Sequence, residues 1–260
     1  MLQNKSAQFA ILQGFYGAWA WNGRGKLQND GPQTYLGSIT MLWQNVEHFA
    51  IKSDFVSQKN MADLTALKDR WFSLSQRNSG AAGSGAYILR HLGYAPYDDF
   101  QAASIDYGSK TYAIQSGAID GINIPGGPPV SAVTQIFTAL GKDITLLNFT
   151  DKQLAAVNRD YPLWNHFIIP VGTYPGQDQD VATIAQPNFL AVQSDVDDET
   201  VYLIVKTIYQ NLPFLHIIHP ATRAMSLEKA IQGLPAPLHP GAARFYREQG
   251  IDIPDKVIVR

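Results

Sequence analysis

Short apolar runs rich in β-forming residues alternate along this chain with segments whose apolar residues recur at helical spacing. That alternation is the pattern of a parallel sheet with crossover helices packed against it. The sequence therefore predicts an α/β fold. The expected strands are 9–12, 47–51, 71–74, 102–105, 119–124, 144–148, 167–171 and 189–192.

The clearest helix signal covers 198–211. Its apolar positions, at helical spacing, are Val201, Ile204, Val205, Ile208 and Leu212. Asp197 is a suitable N-cap, and Pro213 is expected to stop the helix. The apolar stripe is expected to face the core.

Composition excludes several classes of function. The 260 residues are 45% hydrophobic and 16% charged, which is enough apolar material for one or two globular domains. A formal charge of −2 and a pI near 6.3 leave no basic surface for nucleic acid. The absence of cysteine excludes disulfides, thiol catalysis and cysteine-bound zinc. No stretch has the length of a membrane span, and the first residues lack the pattern of a signal peptide.

The glycine-rich segment NSGAAGSGAYILRHLGY, residues 78–94, is typical of a loop that leads into a helix and holds an anion. Gly83, Ser84 and Gly85 follow the strand expected at 71–74 and precede a helix expected at 86–92. Their spacing fits neither the dinucleotide fingerprint nor the P-loop, so a nucleotide is disfavoured. The alternative is structural: Ser84 caps the helix and the glycines form a tight turn.

A second loop has the same character. In GAIDGINIPGGPPVSAVTQI, residues 117–136, an expected strand leads through Gly126 and Gly127 into a helix that begins after prolines. Ligands of open α/β sheets bind beyond the carboxyl ends of strands, so two such loops indicate a cleft for a small molecule. The alternative is a proline-stiffened connection without a ligand.

Catalytic and metal-binding patterns are weak. The pair His216 and His219 has no acidic residue at ligand spacing, and no nucleophile-elbow or zinc-protease motif occurs. The neighbouring aspartates 98–99 and 197–198 fit helix capping better than acid–base chemistry. In FYGAWAWNG, residues 15–23, a packed helix end is favoured over a platform for a sugar or a base. We expect no catalytic residue, metal or cofactor.

The run LPAPLHPGAARFYREQG, residues 234–250, resembles the closing motif of the TAXI family of TRAP-transporter solute-binding proteins. Residues 78–94 and 117–136 resemble the glycine-bearing loops of that family, and IPVGTYPGQDQDVATIA, residues 169–185, resembles its crossover. The resemblance implies a periplasmic-binding-protein-like fold of type II, with two α/β lobes and a ligand cleft between them. It also implies a periplasmic receptor, not an enzyme, that closes on a small carboxylate such as glutamate or a related amino or keto acid. Such a receptor delivers its solute to TRAP-type membrane subunits.

Residue by residue, the resemblance implies a ligand carboxylate at the N–H groups of the Gly-Ser-Gly segment. The implied ligand contacts are Gln13, Asn78, Ser79, Gly83, Ser84, Gly85, Gly126, Gly127 and Tyr174. Gln13 stands where family members have Gln-Ser-Asp, but Gly14 and Phe15 follow it here. The expected lobes are 1–57 with 175–260, and 58–174, joined near 52–64 and 172–180.

Family members carry a signal sequence and a β-α-β unit before the stretch that residues 5–23 resemble. We therefore expect either a shortened form of a longer exported protein or a chain that pairs with a second copy. An α/β enzyme acting on a small anionic substrate is the alternative function. Such an enzyme requires a titratable group with an activated partner beside the glycine segment, whereas a receptor requires only hydrogen-bond donors.

Overall fold

The computed structural model describes residues 2–253 and 258. The chain forms two compact units, the first made of 1–44 with 186–260 and the second of 45–185. The expected lobe boundaries, after 57 and after 174, both fall inside the second unit. They stay a prediction about which parts of the chain move together.

The elements alternate as the α/β pattern requires. The strands are β1 Phe9–Gln13, β2 Leu36–Val46, β3 Phe49–Lys52, β4 Trp71–Ser73, β5 Gln101–Ala102, β6 Gly121–Asn123, β7 Ile144–Leu146, β8 Asn165–Ile169 and β9 Val181–Gln193. The α-helices are α1 Gly14–Asn22, α2 Gly80–His91, α3 Tyr107–Gln115, α4 Ser131–Leu140, α5 Asp151–Val157, α6 Asp198–Gln210, α7 Leu212–Ile218 and α8 Pro240–Glu248. Short 3₁₀ helices cover Gly25–Leu27, Ser53–Phe55, Met61–Leu67, Gly141–Asp143, Pro220–Ala224 and Leu227–Lys229.

In the first unit, β1 pairs antiparallel with β9, with Phe9 opposite Val192 and Gln13 opposite Asn188. Helices α6 and α8 pack so closely at Gly241 that a Cβ there would lie 2.2 Å from the carbonyl oxygen of Asp198. Their apolar faces share one core. Its buried members are Ile39, Val192, Val196, Val201, Val205, Ala230, Leu238, Ala242, Ala243, Phe245, Tyr246 and Ile253.

The second unit is built on a five-stranded sheet in the order β5-β4-β6-β3-β7. Strand β4 is parallel to both β5 and β6, whereas β3 is antiparallel to both β6 and β7. Only two residues separate β3 from β2, so no crossover helix precedes it. Strand β8 pairs antiparallel with the beginning of β9. The α/β prediction is confirmed, with β3 as an antiparallel exception in this sheet.

Two elements differ from the sequence predictions. The strand β2 was not predicted at all, and the helix expected at 86–92 begins six residues earlier, at Gly80. The helix expected at 198–211 is confirmed as α6, and the carboxylate of Asp197 accepts the N–H of Thr200 at 2.8 Å. Pro213 lies in the first turn of α7, which follows after a single residue.

Within residues 2–253 and 258, no single helix is long and apolar enough to cross a membrane. Helices α6 and α7 together satisfy that criterion by length and composition, but they bend by 67° at the break between them.

Candidate functional site

The parallel strands β5, β4 and β6 end at one edge of the second unit's sheet, and α3, α2 and α4 begin just beyond them. Three helix N-termini therefore follow neighbouring strand ends, which is the usual place for a ligand in an open α/β sheet. Both loops that the sequence singled out belong to this edge. The loop with the Gly-Ser-Gly segment follows β4, and the proline-rich loop follows β6.

The glycine segment is helical rather than a loop. Ser79 caps α2 through its hydroxyl, which accepts the N–H of Ala82 at 3.1 Å, and the N–H of Gly83 donates to the Ser79 carbonyl oxygen at 3.2 Å. The placement of Gly83, Ser84 and Gly85 before the helix was therefore wrong, since they lie in its second turn. A helix with this start cannot satisfy the N–H groups of Gly80 and Ala81 internally, so these are the donors available to an anion.

Gly85 allows α2 to approach the ends of β4 and β6. A Cβ there would lie 2.8 Å from Leu74 Cδ2 and 3.1 Å from Asn123 Nδ2. The neighbouring Ser84 is buried, and its hydroxyl donates to the Ala81 carbonyl oxygen at 3.3 Å. The same hydroxyl helps to lower the pKa of the Glu47 carboxyl. The anionic group that the Gly-Ser-Gly segment meets is thus a side chain of the protein itself.

Glu47 is fully buried, and its Oε2 accepts a hydrogen bond from Asn123 Nδ2 at 2.7 Å. Burial raises the pKa of the carboxyl to about 7, against the smaller lowering effect of Asn123 and Ser84. Two oxygens of this pair, Glu47 Oε1 and Asn123 Oδ1, are buried and have no hydrogen-bond partner among residues 2–253 and 258. Such atoms are uncommon in folded proteins, and a buried water, an ion or a ligand group can supply the missing donor.

Lys110 of α3 is the second buried charge at this edge. Its Nζ donates to Ser75 Oγ at 2.8 Å and to the Asn123 carbonyl oxygen at 2.6 Å, and it lies 5.0 Å from the ring centroid of Tyr107. Burial lowers the pKa of the Lys110 ammonium to about 7. Ser75 has a φ of +105°, a strained conformation for a residue with a side chain. Strain of this kind concentrates at functional sites.

Tyr174 is buried beside the proline-rich loop. Its hydroxyl donates to His48 Nε2 at 2.7 Å and accepts the N–H of Val130 at 3.1 Å. The His48 Nδ1–H faces the carbonyl oxygens of Val46 and Ile124, which fixes the tautomer. Burial lowers the pKa of His48 to about 4, so the ring is neutral at pH 7. In this structure Tyr174 joins the loop to the segment around His48.

The glycines of that loop are partly engaged by backbone pairing. The N–H of Gly126 donates to the Val46 carbonyl oxygen at 2.9 Å, and its carbonyl oxygen accepts the Val46 N–H at 3.0 Å. The roles of Gly126, Gly127 and Tyr174 toward a ligand stay predictions.

In the first unit, Gln13 lies directly before α1, without capping it through its side chain. The N–H of Phe15 donates to Gln186 Oε1 at 2.7 Å. Gln13 Oε1 and Gln186 Nε2 are buried and have no hydrogen-bond partner in the part of the chain that the structure describes. The aromatic segment forms α1 itself, with the ring centroids of Phe15 and Trp19 4.1 Å apart, as expected for a packed helix end.

The sequence profile of the NMT1-like family matches residues 1–250. This chain belongs to the NMT1-like family. Among solved structures similar to this NMT1-like protein is the periplasmic aliphatic sulphonate binding protein SsuA from Escherichia coli. The two share 13% identity over 95% of this chain and 67% of SsuA, with a TM-score of 0.49.

Two further structures are similar to this NMT1-like protein. An amino acid ABC transporter substrate-binding protein from Streptococcus pneumoniae, bound to L-arginine, has 14% identity over 86% of this chain and 71% of its own, with a TM-score of 0.41. The arginine-, lysine-, histidine-binding protein ArtJ from Geobacillus stearothermophilus has 8% identity over 86% and 74%, with a TM-score of 0.45.

The sequence predictions for this NMT1-like protein missed the residues that form its buried polar cluster: Glu47, Ser75, Lys110 and Asn123. Glu47 was taken as the start of a strand, although a charged residue inside the apolar run NVEHFAI was a usable signal. Asn123 ends β6, where ligand contacts of α/β sheets occur.

Proposed function

We propose that this protein is an extracytoplasmic solute-binding receptor that delivers a small carboxylate to a membrane transporter. The observation that carries the proposal is the start of α2 at the carboxyl edge of parallel strands. There the N–H groups of Gly80 and Ala81 and the side chains of Asn78 and Ser79 offer donors to an anion. The helix dipole favours negative charge at the same point.

The finer parts of the proposal come from the resemblance to the TAXI family. They are a TRAP-type transporter as partner, a periplasmic location, and glutamate or a related amino or keto acid as ligand. A receptor requires no reaction, so the proposal assigns none.

One observation favours the enzyme alternative. The Nζ of Lys110, with its pKa lowered to about 7, lies 2.8 Å from Ser75 Oγ, as a base lies beside a nucleophile. The lysine also donates to the Asn123 carbonyl oxygen at 2.6 Å, so it already links two strand ends of the sheet. We favour the receptor because that linking role accounts for the lysine without a reaction.

The test begins with native mass spectrometry of the purified protein to identify a retained ligand. Calorimetry with L-glutamate, 2-oxoglutarate and succinate follows, on wild type and on Ser79→Asp. Aspartate keeps the N-cap but adds a negative charge where the carboxylate is proposed to bind. We expect at least tenfold weaker binding.

Thr150→Asp is the matched control, because Thr150 caps α5 in the same unit through the same kind of bond. It should bind as wild type does. Equal affinity of Ser79→Asp and wild type would exclude α2 as the anion site. Absence of any retained or added ligand would refute the receptor, and turnover of a bound ligand would establish the enzyme.

A further inference from the structure

Glu47 Oε1 and Asn123 Oδ1, the two oxygens at the sheet edge that lack a hydrogen-bond partner among the described residues, belong to side chains that are 0% exposed. Their other polar atoms face each other, since Asn123 Nδ2 donates to Glu47 Oε2 at 2.7 Å. This bond fixes the orientation of both groups. It leaves one carboxylate oxygen and one amide oxygen as neighbouring acceptors that need donors.

The charged groups around Glu47 do not supply those donors. Within residues 2–253 and 258, no ion pair includes Glu47. Lys110 on α3 donates instead to Ser75 and to the main chain of Asn123. Tyr107 on the same helix donates its hydroxyl to the Pro125 carbonyl oxygen. His48, the next residue in the chain, is held by Tyr174.

Neither protonation state of the carboxyl removes the problem. The Ser84 hydroxyl lowers the pKa of the Glu47 carboxyl, but it is uncharged and also donates to the Ala81 carbonyl oxygen at 3.3 Å. Among the described residues, Asn123 Oδ1 lacks a donor whichever protonation state Glu47 adopts. A positively charged group with several N–H bonds satisfies both oxygens at once. A primary ammonium group has three N–H bonds and the required charge.

The position of this pair matches a ligand held by α2. Ser84 and Gly85, which face Glu47 and Asn123, lie four and five residues beyond Gly80. At a rise of 1.5 Å per residue this separation is about 6–8 Å along the helix. The helix start favours a negative group. The Glu47 carboxylate, which lies beside the second turn of the helix, favours a positive group there.

We propose that Glu47 and Asn123 form an ammonium subsite, so that the solute is an acidic amino acid whose side-chain carboxylate binds at the start of α2. This inference rests on the receptor function proposed above and narrows its ligand class from carboxylates to acidic amino acids. Both oxygens are shielded in this structure. Binding therefore requires side-chain rearrangement at this edge.

The test compares L-glutamate with 2-oxoglutarate, which share a carbon skeleton and differ in an ammonium or a carbonyl group at one carbon. We expect wild type at pH 8 to bind L-glutamate at least tenfold more tightly. Glu47→Gln keeps the size of the side chain but removes its charge. It should weaken L-glutamate binding at least tenfold and change 2-oxoglutarate binding less than threefold. The exposed Glu228→Gln is the charge-matched control and should change neither.

The pH dependence of the affinity provides a second readout. Glu47 has a pKa of about 7 in the free protein and must be ionised to pair with an ammonium group. The affinity of wild type for L-glutamate should therefore fall as the pH drops below about 7, approaching tenfold per unit. Glu47→Gln should lack this slope. Thermal unfolding of each variant establishes that the comparison is between folded proteins.

The outcomes separate the two proposals. Equal binding of L-glutamate and 2-oxoglutarate with no effect of Glu47→Gln would overturn the ammonium subsite and leave the receptor intact. A retained solute without an amine, identified by native mass spectrometry, would also overturn the ammonium subsite. So would a Glu47→Gln variant whose stability changes but whose affinities do not, which is the result expected if a buried water binds at Glu47. Absence of any bound solute would instead refute the receptor itself.

Discussion

Replacing Tyr174 with phenylalanine removes one hydroxyl and leaves two buried groups without a partner. His48 Nε2 loses the hydroxyl that donates to it at 2.7 Å, and the N–H of Val130 loses its acceptor at 3.1 Å. The ring, which is 1% exposed, keeps its packing. The free energy lost is therefore that of two unsatisfied polar groups rather than that of a cavity.

Each unsatisfied buried group costs about 1–3 kcal/mol, so Tyr174→Phe should lower the free energy of unfolding by about 3 kcal/mol. The matched control is Tyr112→Phe, because Tyr112 belongs to the same unit and is 76% exposed. Its effect should stay within about 0.5 kcal/mol.

Urea unfolding at pH 7.5, followed by tryptophan fluorescence and by circular dichroism, measures both variants. At a urea slope of about 3 kcal/mol per molar, the midpoint of Tyr174→Phe should fall by about 1 M. If the midpoints of the two variants coincide, the Tyr174 hydroxyl does not bridge buried partners and the reasoning is refuted.

Two further predictions concern acidity and helix packing. Burial raises the pKa of Glu47 from 4.5 to about 7, so this residue increases the free energy of unfolding as the pH falls from 7 to 4.5. Burial lowers the pKa of His48 from 6.5 to about 4, so that residue decreases the free energy of unfolding as the pH falls from 6.5 to 4. The two effects offset each other in wild type, so Glu47→Gln should lose about 3 kcal/mol more than wild type between pH 7 and 4.5. Parallel curves from urea unfolding across this range would contradict the assignment. Gly241→Ala should destabilise by at least about 2 kcal/mol, because its Cβ would lie 2.2 Å from the Asp198 carbonyl oxygen. The helical control Gly108→Ala should cost clearly less, because its Cβ would lie 3.3 Å from a side-chain oxygen of Asp106 and alanine has the higher helix propensity. Thermal unfolding of the pair tests this, and equal melting temperatures would contradict the close approach of α6 and α8.

Sequence patterns predicted the elements whose signals are local. Helix α6 has a capping aspartate and an apolar stripe within its own 13 residues, and both survive in the structure. Strand β2 has no such signal. Ser38, Ile39, Thr40 and Met41 alternate between polar and apolar, but all seven residues from Leu36 to Leu42 are buried, so the short alternation does not separate a core face from a solvent face. The hydroxyls of Ser38 and Thr40 bond to partners far along the chain, Ala236 and Tyr209, which no local pattern reveals.

The candidate site was predicted at the right edge of the sheet but with incomplete chemistry. Three glycines within six residues argue against a helix, because glycine has low helix propensity, and the prediction delayed α2 accordingly. Packing of α2 against Leu74 and Asn123 outweighs that propensity. The Glu47–Asn123 bond joins residues 76 positions apart. Its existence depends on which strands become neighbours, and sequence spacing does not determine this.

The close approach at Gly85 also limits how this family can vary. A methyl group there would lie 2.8 Å from the side chain of Leu74, closer than two carbon atoms tolerate. Alanine at 85 therefore requires the end of the Leu74 side chain to move or a shorter residue at 74, and a larger side chain requires space at 123 as well. Related sequences should consequently change these three positions together, and a combinatorial library that varies position 85 alone should be enriched in glycine.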